Sequence, residues 1–181
     1  MKTLEALLEL LPLDHLARTG WVLRGAPQAE SIAGHILGSC YLALGLGTQI
    51  DPPLAMDRVL AQILVHDAPE ARSGDIPRPA AQHLPQGAKE AMEGAIAQEL
   101  LGPLGSSAME AWEEFQAGET REARFARLCE RLQLGVQLTA LYRQGQAKLV
   151  EFEAGLRSLD CREFPVAEEL LHDILDGLDQ P

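Results

Sequence analysis

Cysteine is sparse in this chain and nowhere closely paired. Cys40, Cys129 and Cys161 lie far apart, are odd in number and form no C-x-x-C pair. That argues against both a disulfide framework and a zinc ribbon. Buried or idle thiols in a reducing compartment are the expectation. Aromatic residues are also short, at 4% of the chain, so the core must rest on Leu, Ala, Val and Ile, a composition that favours helices. Nowhere do β-branched residues alternate over a strand's length, so no sheet is expected. No apolar run approaches the roughly 20 residues needed to span a bilayer. The amino terminus, MKTLEALLELLPLDH, is broken by Glu5 and Glu9 and makes a poor signal peptide. A soluble, cytoplasmic protein with no membrane partner is the expectation.

Positive charge is in deficit too. Lys and Arg number 15 against 27 Asp and Glu, for a net charge of −12. Such a surface repels phosphate backbones over long range and weighs against a general nucleic-acid binder. It leaves room for a small phosphorylated ligand, because a metal and a few arginines can reverse the potential inside one cleft. Apolar residues at 46% and charged residues at 23% are globular proportions. A chain of 181 residues fits one domain, large enough to bury roughly 70% of its unfolded surface without disulfides. With no repeat, linker or low-complexity tract, residues 1–181 read as one compact all-α helical bundle.

Leu4, Leu7, Leu8 and Leu11 recur at helical spacing until Pro12, and RTGW (18–21) reads as a turn. Residues 30–46 form a helical pattern with Ile32, Ile36 and the row Leu37, Tyr41 and Leu44 apolar; Gly45 and Gly47 close it. Pro52 and Pro53 open the next, PLAMDRVLAQILVHDAPEA. Its Val59, Leu60, Ile63, Leu64 and Val65 make it apolar on most sides, as a central helix is. Residues 72–87, rich in Pro and Gly, read as loop. Helical patterns resume at 88–101, 107–117 and 119–142, the last with a stripe of Phe125, Leu128, Leu132, Val136 and Thr139. Two shorter ones fill 147–158 and 165–178.

The chemically informative string is LVHDAPEARSGDIP, residues 64–77. A His-Asp pair ending a very apolar helix is costly, because a buried carboxylate needs a cation or strong hydrogen bonds. A helix cap is one explanation, and a divalent metal is another, since imidazole and carboxylate both suit Mn, Co, Fe, Zn or Ni. Glu70 falls four residues after His66 and three after Asp67, beside both on a helix. Asp75 follows Gly74 at a turn and can point back to the same place. Carboxylates beside a metal are what a hydrolase needs to handle the protons of an activated water. His35, inside another apolar helix, is either a satisfied core histidine or a further ligand. Glu130, an acid within RLCERLQLGVQL, is either a partner of Arg127 or Arg131 or a fourth ligand. His15, His83, His172 and the acids of 168–179 read as ordinary surface.

Taken in order, RTGWVLRG, ESIAGH, LVHDAPEARSGDIP and AWEEFQAGETREARFARLCERLQL resemble the HD-domain phosphohydrolases, over about residues 16–145. The HD-x-x-E-x-x-x-x-D string and the RTGW segment are similar to the small branch of 5′-deoxynucleotidases. The resemblance implies metal ligands at His35, His66, Asp67 and Glu130, with acid–base work at Glu70 and Asp75. It also implies that an arginine near RTGW grips phosphate: Arg18 first, Arg24 second, with Arg72 and Arg78 completing a basic patch. Two positions depart from the branch. Its fourth ligand is Asp where this chain has Glu130, and its residue before the first His is acidic where this chain has Gly34.

The expected activity is release of phosphate from (deoxy)nucleoside 5′-monophosphates with one divalent ion (Mn, Co, Fe, Zn, Ni or Mg). Hydrolysis of nucleotide di- or triphosphates is the enzymatic alternative. A non-catalytic scaffold that binds a nucleotide or a protein is the other. The resemblance also implies a homodimer.

Overall fold

Helices account for every regular element among the residues that the computed structural model describes, namely 2–26, 29–146 and 149–179. In chain order they are α1 (Thr3–Leu10), α2 (Thr19–Val22), α3 (Ile32–Gly47), α4 (Met56–Val65), α5 (Glu70–Ser73) and α6 (Arg78–Ala81). There follow α7 (Ala88–Leu101), α8 (Ser106–Ala117), α9 (Arg121–Arg143), α10 (Val150–Arg157) and α11 (Val166–Asp179). The all-α expectation holds. RTGW, expected as a turn, winds into the single turn of α2, and the expected loop at 72–87 contains α6. The expected start of a helix at 147 lies outside the described residues.

Local chemistry sets the ends of the helices that build the site. Ser31 caps α3, its Oγ accepting the Gly34 N–H at 3.0 Å, and Thr120 caps α9 through Ala123 N–H at 3.1 Å. α4 begins at Met56, three residues later than the proline pair suggests. The Ala55 N–H is held by Glu122 Oε1 at 3.1 Å, outside the helix. α4 ends at Val65 because of Pro69: a proline ring has no N–H to give and clashes with the carbonyl four residues back, which is that of Val65. His66 and Asp67 therefore sit in the turn just beyond the helix. Buried Val65 and Ala68, packed with Ala97, Leu101 and Trp112, pin that turn on both sides.

α9 is the axis of the bundle. α3 and α4 pack on one side of it, α10 and α11 on the other, and α8 covers α4. The stripe expected along α9 is broader than a single row. Phe125, Leu128, Cys129, Leu132, Leu138 and Leu141 are buried, whereas Val136 is exposed. Neighbours on both sides demand two apolar faces, and the rows drift around the helix to supply them. α4 is less uniformly buried than expected, since Leu64 faces solvent. The row Leu37, Tyr41 and Leu44 of α3 is also exposed, while the apolar face of α11 is covered through Ala167, Leu171, Ile174 and Leu178.

One antiparallel bridge, Ala17 to Ser31, ties the RTGW segment to the start of α3. Arg18 N–H donates to Glu30 O and Ile32 N–H to Leu16 O, both at 2.9 Å. This places Arg18 and Glu30 beside the HD turn. No helix is long and apolar enough to cross a membrane among the described residues.

Candidate metal centre

His35 projects from the first turn of α3 and His66 from the residue that follows α4; both are buried. The Nδ1 of His35 faces Gln133 Oε1 at 2.5 Å, and that of His66 faces the Ile63 carbonyl at 2.7 Å. Each partner is an oxygen acceptor, so each Nδ1 carries the proton and each Nε2 presents a lone pair. Neither buried Nε2 has a hydrogen-bond partner. His66 Nε2 lies 3.1 Å from Asp67 Oδ2 without the alignment of a hydrogen bond. Two acceptors facing each other across such a gap can share a cation between them. One donor atom each from His35, His66 and Asp67 lies within 4.8 Å of the others, and an imidazole–imidazole–carboxylate set suits a divalent transition metal.

Charge in the centre is consistent with this. Burial pushes the His35 imidazole down to about 3, with Arg18 adding to it, so the ring is neutral at ordinary pH. Burial opposes ionisation of Asp67, but His66, Arg18 and His35 together hold its carboxyl well below the usual range. Burial also works against a proton on His66, yet the Asp67 carboxylate outweighs it and raises that imidazole. A proton on His66 and a metal ion would thus compete for one gap.

Glu70 opens α5 and Asp75 follows α5 at Gly74, whose φ of +71° sends the chain back toward α2. That backbone region favours glycine. Asp75 Oδ2 accepts the Thr19 N–H at 2.6 Å, joining the RTGW segment to the HD string. Glu70 is 6% exposed with Oε2 unpartnered. Burial, then the charges of Asp67 and Asp75, push its carboxyl up to about 9, so it holds a proton at neutral pH. Such a group can donate in a reaction, while the free oxygen of Asp75 can accept.

A cavity of about 730 Å³ opens onto this cluster, lined by Arg18, Asp67, Glu70, Asp75 and Glu130 among others. Arg18 Nη1 reaches Asp67 Oδ2 at 3.0 Å, and Arg24 pairs with Glu151 at the cavity wall. Arg78 also lines it. Arg72 does not: it turns away to Glu9 and Glu99, which removes it from the expected basic patch. Lys89 and Arg131 line the cavity instead, and sequence reading had not singled out Lys89. Glu130 is not a surface partner of Arg127, which instead bonds the Phe115 and Gln116 carbonyls at the end of α8. Its Oε2 is buried and unpartnered, and burial raises its carboxyl despite the nearby His66. It stands outside the three-residue cluster but opens on the same space. His15, His83 and His172 are exposed, as are Glu168, Glu169, Asp173 and Asp176.

A family model described as HD domain matches residues 12–161. The 5′-deoxynucleotidase HDDC2 of Mus musculus is 32% identical over 130 residues, covering 69% of this chain and 62% of that protein. The aligned part is thus about three fifths of the mammalian relative. The 5′-deoxynucleotidase hdd1 of Schizosaccharomyces pombe is 27% identical over 176 residues, 90% of this chain and 83% of the relative. Among solved structures, a protein from Pyrococcus horikoshii OT3 has the same fold, with a TM-score of 0.83 at 24% identity over 96% of this chain and 99% of that one.

Proposed function

This chain belongs to the HD-domain family, and from that premise we propose that it is a metal-dependent phosphohydrolase releasing phosphate from (deoxy)nucleoside 5′-monophosphates. The observation that carries the reading is the pair of buried, unpartnered nitrogens His35 Nε2 and His66 Nε2 beside the Asp67 carboxylate. The residues fit a divalent ion held by His35, His66 and Asp67, with Glu130 reaching in from α9. Such an ion supplies a Lewis-acid centre that acidifies water and offsets phosphoryl charge.

The chain's own groups do the rest. Arg18, half-buried where it lines the cavity, binds phosphoryl oxygens, and Arg24 is the second grip at the wall. Glu70, buried beside the cluster with one oxygen unpartnered, hands a proton to the leaving 5′ oxygen. Asp75, anchored through one oxygen by Thr19, takes the proton of the attacking water through the other. Phe152, stacked on Trp21 at 4.2 Å between centroids, gives the cavity an aromatic wall for a nucleoside. The cavity's volume lies in the range that holds ligands of nucleotide size. The same reading has the chain act as a cytoplasmic homodimer, with exposed Leu37, Tyr41 and Leu44 available to a second copy.

Arg78, Lys89 and Arg131 favour a second reading, in which the extra positive charge receives a di- or triphosphate. A phosphate-release screen of nucleotides with Mn, Co, Mg and Zn added separately decides between them. Inorganic phosphate from 5′-monophosphates supports the first reading, and pyrophosphate from triphosphates supports the second. No release with any metal overturns both and leaves a nucleotide-binding scaffold.

A further inference from the structure

Behind His35 lies a chain of hydrogen bonds that runs in one direction. Trp21 Nε1–H donates to Glu30 Oε1 at 3.1 Å, and Gln133 Nε2–H donates to Glu30 Oε2 at 2.7 Å. With its nitrogen committed to Glu30, the Gln133 amide must turn its oxygen toward His35 Nδ1, 2.5 Å away. Gln133 is itself buried on α9. Its side chain lies across Gly38 of α3, where a Cβ would stand 3.0 Å from Gln133 Cγ and 3.1 Å from Nε2. Gly38 thus provides the space in which the amide crosses between the two helices.

We infer that Glu30 and Gln133 are positioning residues that decide which nitrogen of His35 carries the proton, and so keep its Nε2 open to a metal. Glu30 does this without touching the imidazole. An indole N–H can only donate, and so can the amide nitrogen of Gln133. A group that accepts from both at once fixes the amide, and the amide fixes the ring. A carboxylate meets that need and a carboxamide does not.

The directionality makes an unusual prediction. In Glu30→Gln, the new carboxamide has one oxygen, which Trp21 claims, and its NH2 then points at Gln133. Gln133 must flip to offer its oxygen, and its own NH2 then faces His35 Nδ1. The imidazole must expose a lone pair there and move its proton to Nε2, the atom needed for a metal. Gln133→Glu alone sets two carboxylates against each other. The double variant Glu30→Gln/Gln133→Glu satisfies every group again. Its carboxamide at position 30 accepts from Trp21 and donates to the carboxylate at position 133, which in turn accepts from His35 Nδ1–H.

The inference rests on the metal reading only for its consequence, so the test separates the two. Two-bond 1H–15N correlation of the histidines in the ¹⁵N-labelled full chain, treated with chelator, reads the His35 tautomer directly. Zn(II) affinity is measured in parallel by competition with a chromophoric chelator. The wild type is expected to show Nδ1–H, Glu30→Gln to show Nε2–H, and the double variant to return to Nδ1–H. Zn(II) affinity is expected to fall about 10–100-fold in the single variant, the range for lost support of a ligand histidine, and to recover in the double. Glu30→Gln retaining Nδ1–H, or a double variant no better than the worse single, overturns the inference. Should Glu30→Gln fold poorly by circular dichroism, Gln133→Leu removes the acceptor facing His35 Nδ1, and a ring that keeps Nδ1–H in that variant overturns the inference. A wild type that binds no metal defeats the functional reading alone, because the tautomers remain readable without one.

Discussion

Replacing Glu70 by Gln is expected to raise the stability of the metal-free chain while removing activity. The Glu70 carboxyl is raised from 4.5 to about 9 in the folded protein, by burial first and then by Asp67 and Asp75. At pH 7 the unfolded chain has released this proton and the folded one still holds it. The folded pKa lies above the unfolded one, so this group's contribution falls as pH rises, beginning near 4.5 and ending near 9. At about 1.36 kcal/mol per pH unit, the interval from 4.5 to 7 costs about 3 kcal/mol. Gln removes that ionisation and can still donate toward the neighbouring carboxylates. Urea melts with chelator at pH 5, 7 and 9 should therefore show the wild type losing stability with pH and Glu70→Gln losing less. The variant should lead by about 3 kcal/mol at neutral pH, while turnover in the metal-supplied enzyme falls at least about 100-fold. A bound cation lowers the Glu70 carboxyl, so the stability gain should shrink when metal is added. A variant less stable than the wild type at pH 9, or with the same slope against pH, would refute the reasoning.

Two further outcomes are expected. The purified chain should carry about one divalent transition metal, read by elemental analysis. Its removal should lower the thermal midpoint, since a ligand at about 100 times its Kd adds about 2.7 kcal/mol; no metal and no shift with Mn or Co would count against the centre. Glu130→Ala should cut metal affinity sharply and Glu130→Asp less so, in titrations beside the wild type. Equal affinities in all three would remove Glu130 from the site.

Much of this architecture is legible in the order of residues, and the parts that are not share a cause. The helices at 88–101 and 165–178 and the closeness of Glu70 to the HD pair follow from local rules of spacing. Reading PLAMDRVLAQILVHDAPEA as one helix overlooked Pro69, which stops α4 at Val65 and leaves the HD pair in a turn. Long-range partners follow from no such rule. Arg72 looks like a member of a basic patch because it is close to the motif in sequence, yet Glu9 and Glu99 reach it first. Lys89 and Phe152 come to the cavity from distant helices. Gln133 carried no local clue: one residue past Leu132, it sits about 100° around α9 from the expected stripe. Its meaning depended on Glu30, which is 103 positions away.

The two departures from the branch pattern acquire different weights from the structure. An acidic residue before the first histidine could serve to orient that ring, and Gly34 leaves nothing there to do so. Yet position 34 is exposed, and a side chain on it would lie 3.4 Å from Ser31 Oγ, over the cap of α3. The ring is oriented instead from α9, by Gln133. Loss of the acid at 34 therefore takes nothing from His35 in this chain. Position 130 is different, because a buried carboxylate oxygen there has no partner at all. Leaving such an atom bare costs about 1–3 kcal/mol or more for a charged group. One extra methylene lets it extend from α9 toward His66 and Asp67. A cation between them would satisfy that oxygen and both unpartnered imidazole nitrogens together. In the proposed site the added length would trade helix position for reach, which would bear on the choice of metal more than on whether one is held.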